Sequence, residues 1–147
     1  MTGELPSTGS FVNALFYDEP PGTFSDGHVI TSAPTLTSAI DDPDNGYWHC
    51  DIADHDSLTW SRKVYELFGL PAGIPVERAW AVARYTENSR TVLERVRTFG
   101  LNRKFGFILD AEITPEGGSS SRWIRVLAVP ILTNGRVVGL HGLKRAL

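Results

Sequence analysis

The chain has 147 residues, 14 Lys and Arg against 17 Asp and Glu for a net charge of −3, 41% apolar residues and 21% charged ones. These values suit one domain large enough to bury a core and exclude wholesale disorder. No basic stripe points to nucleic acid, no apolar run is long enough for a membrane span or signal peptide, and a lone Cys50 excludes an intrachain disulfide or a multi-cysteine metal site. The expectation is a soluble cytoplasmic domain, free-standing or part of something longer.

Residues 1–45 are rich in Gly, Pro, Ser, Thr and Asp and read as a partly flexible N-terminal extension. Within it Phe11, Val12, Leu15 and Phe16 fall at helical spacing behind Ser10, and Leu36 to Ile40 suggests a further helical turn. A helix that short needs something to pack on. From residue 46 to 147 the texture is that of a compact domain. Tyr47 to Ile52 and Ser57 to Trp60 read as strands around the polar turn Asp54-His55-Asp56. Ser61 stands at an N-cap position before a helix over Arg62 to Phe68, which Gly69 and Pro71 stop. Short helical turns carry Val76, Trp80, Val82 and Tyr85. A longer helix follows Thr86, with Val92, Leu93, Val96 and Phe99 as its apolar stripe and Gly100 as its expected end.

Then comes the clearest strand. Phe105, Phe107, Leu109, Ala111 and Ile113 alternate with Lys104, Gly106, Ile108, Asp110 and Glu112. Two further apolar-rich runs flank Asn134-Gly135, a dipeptide suited to the positive φ angles of a two-residue hairpin turn. In the first run Ile124, Val126 and Ala128 share one face, and Trp123, Arg125, Leu127 and Val129 the other. Helices segregated from consecutive strands predict an α+β fold: a five-stranded antiparallel sheet flanked by short helices and one longer helix.

Five pieces of the chain, in order, resemble the PAS family: Gly46-Tyr47-Trp48-His49-Cys50-Asp51-Ile52, Leu58-Thr59-Trp60-Ser61, Val64-Tyr65-Glu66-Leu67-Phe68-Gly69, Arg122-Trp123-Ile124-Arg125, and Gly135 to Gly142. The resemblance spans about residues 46–143. It implies a non-catalytic sensory or protein-interaction module of bacterial-type signal transduction, with other signalling proteins as partners. The chain departs from the family pattern at three places. Cys50 stands where a second tryptophan is common, Tyr85-Thr86-Glu87-Asn88 replaces the usual lead into the long helix, and Leu143-Lys144-Arg145-Ala146-Leu147 replaces the closing Asp-Ile-Thr. The hairpin is therefore expected to end in an interaction surface rather than to feed a fused effector.

The chemistry of individual residues points the same way. The flavin-binding relatives' Asn-Cys-Arg-Phe-Leu-Gln segment is missing, and His28, His49, His55 and His141 fall on strands, turns or the extension rather than on a cavity-lining helix; no cofactor is expected, flavin and haem included. His49 and Cys50 point to opposite faces of a strand, so no metal site is expected. Ser61 as a nucleophile competes with its role as a helix cap, and Asp110 and Glu112 read best as partners of Arg122 and Arg125 across the strands. No catalytic residue is expected.

Two faces remain. In PAS relatives the inward face surrounds a ligand cavity, yet so many bulky apolar groups here predict a filled core; if a cavity exists instead, Tyr65, Trp80, Tyr85, Phe107 and Val126 should line it and a small ligand would bind there. The outward face, with Ile108, Trp123, Arg125 and Leu127, is too apolar for water and should be covered by Phe11, Leu15 and Phe16 or by a second copy in a homodimer. The competing reading is a small α+β cone enzyme of isomerase or dehydratase type acting on a small apolar substrate. It requires a buried acid such as Asp110, or a His, in the cavity.

Overall fold

The computed structural model describes residues 22–23, 29–31, 43–118 and 120–147. The expected helical turns over Phe11 to Phe16 and Leu36 to Ile40 lie outside these residues. Strands β1 (Gly22–Thr23) and β2 (Val29–Thr31) precede β3 (Gly46–Asp51) and β4 (Ser57–Trp60), which are joined through a 3-10 turn at Ile52–Asp54. Helices α1 (Arg62–Phe68), α2 (Arg78–Ala83) and α3 (Glu87–Arg103) follow, then β5 (Gly106–Ile113), β6 (Arg122–Thr133) and β7 (Arg136–Ala146). All pairings are antiparallel, in the order β1-β2-β5-β6-β7-β3-β4. The five-stranded sheet of the main body is thus as expected. The two short strands from residues 22–31 lengthen it along the free edge of β5.

The sheet's inward face meets the helices in one apolar core. Phe107, Leu109, Ala111, Ile113, Ile124, Val126, Ala128 and Leu140 from the strands pack with Val64, Leu67, Phe68, Leu93 and Val96 from α1 and α3. That set follows from the alternation on β5 and β6 and the helical stripe on α3.

Two local expectations change. Ser61 does occupy the N-cap position of α1, but its side chain makes no cap bond. Its Oγ instead accepts the Tyr47 N–H at 2.9 Å, while the Ser61 N–H donates to the Tyr47 carbonyl at 2.9 Å. The hydroxyl therefore ties the start of α1 to β3 rather than finishing the helix. Nor does Gly100 end α3, which runs three residues further to Arg103 and is closed by Lys104 at φ 64°. Gly100 is there for space: a β-carbon would come within 2.9 Å of the Phe105 carbonyl oxygen and 3.2 Å of the Phe107 ring.

The closing hairpin turns at Asn134-Gly135 with φ angles of 53° and 78°, as the dipeptide predicts. Next to the turn the pairs are Thr133 with Arg136 and Leu132 with Val137; then Ile131 pairs with Gly139. Val138 is the extra residue of a β-bulge. Beyond it the register is displaced by one, so Val126 faces Lys144 and Leu127 faces Leu143. Because strand side chains alternate with period two, this single residue decides which face Lys144 occupies.

Candidate functional site

Lys144 shares the inward face with Val126, and it is buried, with 8% of its surface exposed. Four aromatic rings surround its ammonium nitrogen. Nζ lies 5.0 Å from the Phe68 ring centre, 5.3 Å from Trp48, 5.6 Å from Tyr85 and 5.9 Å from Trp60. It also donates to the Tyr85 hydroxyl at 3.1 Å. Each ring comes from a different element for a local reason. Trp48 and Trp60 are directly opposite one another on β3 and β4, Phe68 is the last residue of α1, and Tyr85 follows α2 and is pinned by an isolated bridge to Ile113. Trp60 and Phe68 pack at 4.8 Å between centres.

Lys144 and three of its rings, Trp48, Trp60 and Tyr85, form part of the wall of a cavity of about 60 Å³. Trp48, Cys50, Leu58 and Trp60 line it from β3 and β4, Arg78, Ala81, Val82 and Tyr85 from α2 and the residues after it, Leu93 and Arg97 from α3, and Phe107, Val126, Leu140 and Lys144 from the rest of the sheet. Leu58 and Arg78 are also walls of an open groove alongside, which runs past His55 to Ser57 and Pro75 to Ala79.

Carboxylates stay at the rim. Arg78 pairs with Glu94, and Arg97 with Asp56 at 3.2 Å. Among the described residues no acid lies within ion-pair reach of Lys144. Burial, reinforced by the Arg78 charge, lowers the Lys144 amine from its ordinary 10.5 to about 7. Burial pushes the Tyr85 phenol up, and raises the Cys50 thiol with help from Asp56. Trp48 adds one more donor: its indole N–H is buried and has no acceptor.

Of the residues expected at a cavity, Tyr85, Phe107 and Val126 line it. Tyr65 and Trp80 do not: the Tyr65 hydroxyl donates to the Ile74 carbonyl at 2.6 Å, and Trp80 stacks under the Arg84 guanidinium at 4.9 Å. Sequence reasoning passed over Lys144, Trp48 and Arg78. On the outward face Arg125 makes a two-pronged pair with Asp110, at 2.6 and 2.7 Å, which the strand register places directly opposite. Glu112 takes a hydrogen bond from the Ser121 hydroxyl instead of an Arg122 partner. Ile108, Arg125 and Leu127 are buried, whereas Trp123 is half exposed. Phe11, Leu15 and Phe16 lie outside the described residues. Among those described, no cluster of His, Cys, Asp and Glu could hold a metal, and no helix is long and apolar enough to cross a membrane.

A layer of helices over one face of an antiparallel sheet has clear counterparts among solved structures. The N-terminal domain of a diguanylate cyclase with PAS/PAC sensor from Marinobacter aquaeolei superposes with a TM-score of 0.62 at 14% identity, over 69% of this chain and 94% of that one. This chain has the PAS fold. A sensory box histidine kinase/response regulator from Burkholderia thailandensis E264 gives 0.63 at 12% identity, over 76% and 83% of the two chains. The PAS domain of a protein from Colwellia psychrerythraea gives 0.58 at 16%, over 76% and 96%. No family model matches the sequence, and no curated protein does. The likeness to PAS domains is thus carried by the fold.

Proposed function

We propose that this chain is a non-catalytic sensory module of signal transduction, in which a small ligand occupies the cavity beside Lys144 and alters how the sheet meets a signalling partner. The observation that carries this reading is the cavity itself, which combines apolar walls with converging polar groups in the place where ligand sites form. The solved PAS-fold neighbours belong to a cyclase with a sensor domain and to a sensory kinase, which supports the same class. The cone-enzyme reading loses support, since among the described residues no Asp, Glu or His lines the cavity and Asp110 is engaged on the opposite face. A volume of about 60 Å³ holds only a few water molecules, which supports the absence of flavin and haem.

The test is a small-molecule screen read by the indole N–H resonances of the protein. Ligands should shift Trp48 and Trp60 saturably and leave Trp123 unmoved. A screen across charged and neutral compounds that moves neither cavity indole would sink the sensory reading.

Homodimerisation belongs to the same proposal. With Ile108, Arg125 and Leu127 buried, Trp123 is the most exposed of the four outward-face residues expected at an interface, and it lies next to Leu147, whose N–H donates to the Trp123 carbonyl at 3.0 Å. Trp123→Glu should weaken a dimer at least ~10-fold in sedimentation equilibrium. Wild-type protein that stays monomeric at its highest soluble concentration would remove the dimer.

A further inference from the structure

The cavity offers donors and almost nothing that accepts. Lys144 and Arg78 carry only donors when charged, and the buried Trp48 N–H has no acceptor at all. A buried donor without a partner is costly and calls for a group to receive it. The nearby carboxylates do not meet that need, because Glu94 and Asp56 are held at the rim by Arg78 and Arg97. The remaining walls, including Phe107, Val126 and Leu140, are apolar and suit a hydrocarbon rather than a hydrated inorganic ion.

We propose that the cavity binds a short-chain monocarboxylate, its carboxylate on Lys144 and the Trp48 N–H and its hydrocarbon against the apolar walls. This deepens the sensory reading given above and rests on it. Size sets the upper bound: about 60 Å³ accommodates an anion of acetate or propionate dimensions, and anything longer must extend toward the groove that shares Leu58 and Arg78. The charge works in the ligand's favour because the ammonium is without a carboxylate partner and shielded from water, so an arriving anion is not competing with a resident one. The groups facing Lys144 are Tyr85, Arg78 from α2 and Cys50 from β3, all neutral or cationic near neutral pH. An anion there raises the lysine's proton affinity, so binding takes up a proton around pH 7 to 8.

The experiment is calorimetric titration of the full chain with sodium acetate and sodium propionate at pH 7.5, in two buffers of different ionisation enthalpy. Sodium chloride at equal ionic strength and propionamide serve as controls. The expected result is saturable propionate binding with a Kd on the order of 1 mM, given so few ligand atoms. It should be accompanied by proton uptake, and lost at least ~10-fold in Lys144→Met. Chloride binding equally well would overturn the proposal in favour of an inorganic anion site. Propionamide binding equally well would overturn it while leaving a ligand-sensing cavity in place. If no titrant binds and the broader indole screen is also silent, the sensory reading falls together with it.

Discussion

Lys144→Met should make the protein more stable near neutral pH, and the gain should shrink as the pH rises. Methionine has the length to fill the lysine's place among Trp48, Trp60, Phe68 and Tyr85, and sulfur packs well against rings. The sign follows from linkage. The amine's ordinary value of 10.5 falls to about 7 in the folded protein, so between those values the unfolded chain holds a proton that the folded chain lacks. Stability therefore climbs with pH across that window, and the whole cost of burying the ammonium is felt below pH 7. At ~1.4 kcal/mol per pH unit the gain from Met is about 3–5 kcal/mol at pH 6.5 and about 2 kcal/mol at pH 9, the lower figures allowing for attraction between the ammonium and the rings. Urea unfolding of both proteins at the two pH values measures it. Cys50 and Tyr85 are present in both proteins, so comparing variants removes their titration apart from its coupling to the amine. A variant less stable than wild type at pH 6.5 would mean that the four rings outweigh desolvation.

The fold was far more legible than the site, and Lys144 explains why. Alternation along β5, the Asn134-Gly135 turn and the Ser61 helix start are local signals, and local signals survive in a sequence. Counting outward from the turn, eight residues past Arg136 and eight before Thr133, sets Lys144 opposite Arg125 on the outward face. The bulge at Val138 displaces the register and turns Lys144 inward opposite Val126. Nothing in Arg136-Val137-Val138-Gly139 announces an extra residue, so the sequence marks Lys144 only as part of the segment that replaces the closing Asp-Ile-Thr. The usable hint was that Leu140, Gly142 and Lys144 continue one stripe, which places a charge in line with apolar neighbours. Tyr65 and Trp80 illustrate the opposite error. Their polar handles suited a cavity, yet an exposed carbonyl at Ile74 and the Arg84 guanidinium engaged them first.

Gly142→Ala should be the most damaging small substitution in the sheet. Gly142 lies on β7 between two neighbouring strands, opposite Trp48 of β3 and Ala128 of β6. A β-carbon there would overlap the Leu127 carbonyl oxygen and stand 2.7 Å from its carbonyl carbon and 3.1 Å from the Ala128 α-carbon. These are backbone atoms inside a ladder, so no side chain can swing aside. β6 and β7 must separate locally, which breaks hydrogen bonds at the centre of the sheet and opens a gap beside Leu127, which is fully buried. Overpacking of this kind with lost ladder bonds should cost at least ~3 kcal/mol, a large share of the ~5–15 kcal/mol that holds a domain folded. Gly135→Ala is the control. Its φ of 78° strains an alanine by about 1 kcal/mol, but no atom stands within 4 Å of the new methyl group. Thermal unfolding should therefore separate the two glycines clearly. Equal losses would mean that backbone conformation, and not the closeness of β6 to β7, is what reserves position 142 for glycine. The distinction bears on the site as well, because Gly142 sits two residues from Lys144 on the same strand. A sheet forced open there would carry the amine away from Tyr85, and Gly142→Ala protein that still folds should lose the depressed lysine pKa along with its stability.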